Sequence, residues 1–160
     1  MGKTAFIFPG QGAQKAGMGK DFYEKYDTAK DVFDSAGEWL DLDMKALCFE
    51  ENDRLDLTEY TQAALVTTCL AMEKVVEEMG LHPDVTAGLS LGEYGALAAA
   101  DVMDLDSLFQ LIRLRGIYMQ EAYPVGGAMT AVLGLDAAAI EQICRDTAEH
   151  AANFQIPSRK

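Results

Sequence analysis

The chain has 160 residues, 13 Lys+Arg against 26 Asp+Glu, and a formal net charge of −13 at pH 7. With 49% hydrophobic and 24% charged residues it has the makings of one globular core and is too short for two full ones. That composition excludes disorder, no apolar run reaches the ~18 residues of a membrane span, and residues 1–8 lack the features of a secretory signal.

Residues 4–8 form a continuous apolar run ended by Pro9-Gly10, the pattern of a strand buried on both faces of a parallel sheet. A glycine-rich loop follows over residues 10–19. Helical patterns then cover residues 20–40, 42–49 and 61–79. In the last, Leu65, Cys69, Met72, Val76 and Met79 recur at helical spacing and Gly80 supplies a stop. After His82-Pro83 come the short run Val85-Thr86-Ala87, the pentapeptide Gly88-Leu89-Ser90-Leu91-Gly92, and an alanine-rich helix from Glu93. A further helix spans residues 105–122. Beyond Pro124-Val125-Gly126-Gly127, residues 128–135 predict a strand, Asp136 caps a helix to about Thr147, and residues 153–156 open another strand.

Strands alternating with helices predict an α/β fold. The boundary falls near Val125, between a larger portion, residues 1–125, and an incomplete βαβ unit, residues 126–160. Two candidate strands in the first 122 residues are too few to cover a sheet's edges. The chain therefore reads as the truncated front part of a larger fold, expected to self-associate through an uncovered sheet edge.

The pentapeptide at 88–92 matches G-x-S-x-G. In a nucleophile elbow, glycines let the serine occupy a tight strand-to-helix turn that exposes its hydroxyl, while the next N–H points at a developing oxyanion. The alternative is a plain Gly-Ser turn entering a helix. The Gly10-Gln11-Gly12 loop fails the dinucleotide fingerprint, because position 15 is Lys15. It fails the P-loop too, because Asp21 follows Gly19-Lys20 and position 14 is Gln14. What remains is either an oxyanion-donating loop or a simple connection.

On the helix from Leu105, Leu108, Leu111, Ile112, Arg115 and Met119 share one face at ~100° per residue, and Arg113 points about 160° away, toward solvent. An arginine in an apolar stripe needs a partner: either a structural carboxylate or a substrate carboxylate held bidentately. Such a cation would also answer the charge problem, since a pI near 4.4 argues against nucleic acid and makes any anionic substrate depend on a local positive feature. His82 and His150 read as surface residues, so a base for Ser90 is not expected in this chain. Cys48, Cys69 and Cys144 are far apart and in no CxxC pair. Neither a disulfide framework nor a metal site is expected, and a reducing cytoplasm is.

Together these segments resemble the malonyl-CoA:acyl carrier protein transacylases of bacterial fatty acid synthesis. The matching residues are Phe8-Pro9-Gly10-Gln11-Gly12, Thr61-Gln62, Gly88-Leu89-Ser90-Leu91-Gly92-Glu93-Tyr94, and Arg115-Gly116 with Met119-Gln120-Glu121-Ala122; Gly134-Leu135-Asp136 and Asn153-Phe154 continue the match. The resemblance covers essentially the whole chain but about the first half of the family's usual length. It implies an α/β-hydrolase-like large subdomain and the start of a ferredoxin-like small one. It implies that Ser90 takes malonyl from malonyl-CoA and passes it to acyl carrier protein, with no cofactor. The N–H groups of Gln11 and Leu91 would form the oxyanion hole, Arg115 would hold the malonyl carboxylate, and Gln62 and Met119 would line the substrate. The family's catalytic histidine lies beyond residue 160, so the chain alone is expected to be nearly inactive. Leu89 stands where the family often has His, and residues 155–160 leave the family pattern. Two other functions stay open: a serine hydrolase on the same elbow, and a non-catalytic fragment binding acyl-CoA or carrier protein. No nucleic-acid or membrane partner is expected.

Overall fold

The computed structural model describes residues 2–125, 130 and 132–147, and the chain divides into two units, Met1–Val125 and Gly126–Lys160. The first runs β1 (Ala5–Phe8), α1 (Lys20–Lys25), α2 (Asp27–Leu40), α3 (Met44–Phe49), α4 (Thr58–Glu78), β2 (Val85–Gly88), α5 (Gly92–Ala99) and α6 (Leu105–Ala122); the second contributes α7 (Ala137–Thr147). β1 and β2 pair in parallel, with Ala5 opposite Val85 and Phe8 opposite Gly88. The α/β class follows from this crossover.

The core centres on α4, buried over most of its length from Thr61 to Val75, with α2 and α6 packed against it. The amphipathic α2 presents Ala29, Val32, Phe33, Ala36 and Leu40 as one buried stripe. On the other side, α6 buries Leu108, Phe109, Ile112 and Gly116.

Residues 20–40 are two helices rather than one. Tyr26 is extended (φ −124°, ψ 126°), and α1 folds back so that the Tyr23 ring meets Phe33 edge-on at 5.8 Å and Phe49 at 5.3 Å. In a single straight helix residues ten apart lie ~15 Å apart along the axis, so the aromatic contact requires the break. Likewise α4 starts at Thr58, ahead of the expected Thr61, because a distant side chain caps it: the Thr58 N–H donates to Gln120 Oε1 at 2.9 Å.

The strand expected to be buried on both faces is covered on one. Phe8 is buried beneath Gly95 of α5, and Thr86 Oγ1 donates to Ala96 O at 2.9 Å, tying α5 to the sheet. Ile7 is 78% and Val85 54% exposed. A continuous apolar run shows what a strand could bury; among the described residues nothing is laid on that face. The strand expected over 128–135 is not formed at residues 130 and 132–135, where Gly134 turns the chain at φ 80° and no partner strand is described. Residues 128, 129 and 131 and the strand expected at 153–156 lie outside the described residues. Asp136 caps α7 as expected, its Oδ1 accepting from Ala139 N–H at 2.8 Å. All three cysteines are free thiols. No helix among the described residues is long and apolar enough to cross a membrane.

One buried charge stands apart. Glu73 on α4 is 5% exposed, neither carboxylate oxygen accepts a hydrogen bond, and Lys74 Nζ lies 3.4 Å from one of them. Burial first, and the neighbouring Glu77 carboxylate second, push the Glu73 pKa up to about 7. A raised carboxylate pKa makes folding disfavour the charged form. Stability is therefore lost as pH climbs from the unfolded value of 4.5 toward 7. Urea titrations at pH 4.5 and 8 should find Glu73→Gln near neutral at the lower pH and stabilising by about 1–3 kcal/mol at the higher. Beside the association expected through an open sheet edge, the bare sheet face supports a second expectation: Ile7→Lys with Val85→Lys shifts sedimentation of the 160-residue chain toward monomer where the face rather than the edge carries self-association.

Candidate active site

Strand β2 ends at Gly88, and α5 begins only four residues later at Gly92, so the intervening turn is tight. A Cβ on Gly88 would stand 2.0 Å from the Gly92 carbonyl carbon, and one on Gly92 would stand 2.2 Å from the Phe8 oxygen. Only glycine permits these backbone approaches. Hydrogen bonds from Leu89 N–H to Phe8 O (3.1 Å), Gly92 N–H to Leu89 O (2.9 Å) and Glu93 N–H to Ser90 O (3.2 Å) hold the turn. Ser90 is thereby fixed in the left-handed region at φ 53°, exposed at the tip of the strand–turn–helix unit. A non-glycine residue there carries strain of about 1–2 kcal/mol.

The loop after β1 lies against this turn, since a Cβ on Gly10 would come within 2.9 Å of Leu89 O. Gln11 Nε2 donates to Thr58 Oγ1 at 3.1 Å, and Gln14 takes the Gly12 N–H at 2.8 Å while donating to Asp56 Oδ1 at 3.0 Å. The loop is thus anchored to the start of α4. Among the described residues no acceptor takes the backbone N–H of Gln11 or of Leu91.

Arg115 on α6 completes the cluster. Its Nη1 donates to Gln62 Oε1 at 2.6 Å, its Nη2 donates to Ser90 Oγ at 3.2 Å, and the guanidinium lies 5.4 Å from the Tyr94 ring centroid. Gln62 is fully buried, and its Nε2 donates to Met119 Sδ at 3.2 Å. Of the two partners open to Arg115 on sequence grounds, the structural carboxylate is not found: no described carboxylate forms an ion pair with it. Ser90, Gln62, Arg115 and Met119 therefore come together, with Gln11 and Leu91 on the two backbone segments that flank the serine.

Two expectations for α6 are corrected. Its buried stripe is Leu108, Phe109, Ile112 and Gly116, while Leu111 and Met119 are 39% and 44% exposed. Nor does Arg113 point to solvent. Its Nη1 donates to Glu59 O at 3.0 Å and to Glu59 Oε2 at 3.1 Å, and its guanidinium lies 5.1 Å from the Tyr60 ring centroid. The reason is close helix packing. A Cβ on Gly116 would stand 2.9 Å from the Glu59 Cα, so α6 approaches α4 closely enough for residues beside the stripe to reach it. Sequence reasoning also gives Tyr94 no role, although its position one turn after Ser90 at the head of a helix is a usable signal.

His82 is 67% exposed and faces Glu77, with Nδ1 3.9 Å from the carboxylate. His150 lies outside the described residues. Among the described side chains, Ser90 Oγ has Arg115 as its hydrogen-bond partner and no base. Chemically, the cluster offers an exposed hydroxyl beside a guanidinium whose partners are all neutral. That is an arrangement able to take a carboxylate-bearing molecule in fork geometry.

Fold and site define an α/β protein built around a strand–serine–helix turn. The chain belongs to the acyl transferase domain family, which matches residues 5–154. It is 45% identical over 158 residues to a malonyl CoA-acyl carrier protein transacylase of Bacillus subtilis, covering 98% of this chain and 50% of that relative. The crystal structure of MCAT from Streptococcus pneumoniae superposes with a TM-score of 0.82 at 44% identity, over 94% of this chain and 50% of that one. A malonyl-transacylase solved in complex with a type II PKS acyl-carrier protein gives a TM-score of 0.83 at 38% identity, over 92% and 49%. The chain spans about half the length of the curated relatives it matches.

The turn geometry makes a stability forecast. Gly92→Ala should cost ~3 kcal/mol or more, because the new methyl meets backbone rather than a movable side chain. Ser90→Gly should leave stability unchanged or raised by up to about 1 kcal/mol, since it relieves the left-handed strain. Urea unfolding of both variants measures this; a large loss in Ser90→Gly would contradict it.

Proposed function

We propose that this chain carries the nucleophile and acyl-binding part of an acyltransferase that moves malonyl from malonyl-CoA to the phosphopantetheine thiol of acyl carrier protein. The observation that carries the reading is the Arg115 guanidinium, 3.2 Å from Ser90 Oγ and held by neutral partners alone. A serine hydrolase on the same turn has no use for a cation kept free of carboxylates. The names of the relatives, and the solved complex of one of them with a carrier protein, support the substrate and the partner.

In this reading Ser90 Oγ attacks the malonyl thioester carbonyl carbon, and the backbone N–H groups of Gln11 and Leu91 receive the developing oxyanion. The C–S bond breaks, coenzyme A leaves as its thiol, and a malonyl-serine ester remains. The carrier thiol then attacks that ester, and Ser90 regains its proton. Arg115 forks onto the malonyl carboxylate, Gln62 fixes the guanidinium, and Met119 lines the acyl group. A serine alcohol needs a base to accept its proton in the transition state, and no described histidine stands beside Ser90. The base comes from outside the described residues. We further read Met1–Val125 as the α/β-hydrolase-like large subdomain, Gly126–Lys160 as the start of a ferredoxin-like small one, and the setting as cytoplasmic fatty acid synthesis. That no base stands beside Ser90 among the described residues also favours a second reading, a non-catalytic fragment that binds acyl-CoA or carrier protein.

Two measurements test the proposal. Calorimetric titration of the 160-residue chain should show Arg115→Ala weakening malonyl-CoA by about 2–4 kcal/mol while acetyl-CoA changes little. Equal losses for both would remove the carboxylate role. Prolonged incubation with malonyl-CoA should leave a malonyl ester on the Ser90 peptide by mass spectrometry, far more slowly than enzymatic turnover and absent in Ser90→Ala. A label on Cys48 or Cys69 instead would show that the turn has been misread.

A further inference from the structure

Arg113 and Arg115 leave α6 two residues apart, yet their surroundings differ in kind. Arg115 touches the Gln62 amide oxygen, the Ser90 hydroxyl and the Tyr94 ring, all neutral. Arg113 holds the Glu59 carboxylate at 3.1 Å and the Glu59 carbonyl oxygen at 3.0 Å. Glu59 and Gln62 lie three residues apart on α4, hence on the same helical face with Cβ atoms ~5–6 Å apart. The carboxylate claimed by Arg113 is thus the one α4 presents a single turn away from the amide that holds Arg115. Both members of the Arg113–Glu59 pair are largely shielded, with side chains 22% and 26% exposed, so solvent screens a displaced Glu59 charge only in part.

We infer that Arg113 is a specificity-determining positioning residue: by sequestering Glu59 it keeps the Arg115 guanidinium un-neutralised and open to an acyl group that bears a carboxylate. Without Arg113, the freed Glu59 carboxylate competes with the substrate carboxylate for Arg115, and the site loses its preference for charged acyl groups. An uncharged acyl group makes no use of the guanidinium and is indifferent to the change. The inference rests on the reading of Arg115 as the carboxylate-binding group, and the experiment separates the two.

Malonyl-CoA and acetyl-CoA differ at the acyl end by the carboxylate alone, so their binding to the 160-residue chain is compared by calorimetry in four variants. Arg113→Met should weaken malonyl-CoA roughly tenfold and leave acetyl-CoA within about twofold, as expected for one partly shielded charge contact. Adding Glu59→Gln to Arg113→Met should restore malonyl-CoA to within about twofold, because the competitor is then gone. Glu59→Gln alone should not weaken malonyl-CoA, which keeps the inference testable if Arg113→Met folds poorly. A pair that merely braces α4 against α6 predicts the opposite pattern: both single variants lose both ligands, and the double variant rescues neither. That pattern overturns the inference, as does undiminished malonyl-CoA binding in Arg113→Met. Arg115→Ala serves as the fourth variant. If it fails to separate the two ligands, the reading of Arg115 falls; if it separates them and Arg113→Met does not, only the role of Arg113 falls.

Discussion

Everything at the candidate site depends on one close backbone approach, that of Gly92 against the carbonyl oxygen of Phe8. With no side chain on Gly88 or Gly92, the first turn of α5 lies directly on the β1–β2 pair, and the chain crosses from strand to helix in three residues. Ser90 sits at the tip of that crossing in a left-handed conformation. Hydrogen bonds from Leu89, Gly92 and Glu93 over-determine the turn and hold the strain in place. The same approach sets the loop after β1 alongside, with Gly10 against the Leu89 carbonyl oxygen.

The second constraint is electrostatic and belongs to the seam between α4 and α6. In a chain of net charge −13, a lone guanidinium would ordinarily find a carboxylate. Here helix packing decides otherwise. Gly116 lets α6 settle onto α4 near Glu59, Arg113 takes the carboxylate, and Arg115 is left with an amide, a hydroxyl and an aromatic ring. An amide and a ring can orient a cation without neutralising it. The buried amide of Gln62 has in turn to find its own acceptor, and Met119 Sδ provides it. Glu73, by contrast, carries its burial largely uncompensated, and its raised pKa is the consequence.

Much of this architecture is legible in local pattern alone. The apolar spacing of residues 105–122 specifies a helix, and α6 spans Leu105–Ala122. Asp136 stands where a cap belongs, and its carboxylate accepts from Ala139 N–H three residues on. The G-x-S-x-G spacing states its own reason, because glycine is needed where two backbones nearly touch, and that need is visible in five consecutive residues. The helix spacing, the cap and the approach of Gly88 to Gly92 involve partners within about four positions, and a linear pattern carries such information directly, whereas the contact of Gly92 with Phe8 does not show in it.

What the sequence by itself determined, then, was the alternation of strands and helices, the serine turn between two glycines, and an arginine misplaced among apolar neighbours. Only the tertiary structure decided what that arginine meets. Gln62 and Arg115 are 53 positions apart, and Glu59 and Arg113 are 54, so neither contact leaves a trace in local periodicity. The break at Tyr26, the cap that Gln120 places on Thr58, and the bare face at Ile7 belong with them. Each depends on which surfaces are brought together, and packing across such separations overrides the short-range preferences that a sequence displays.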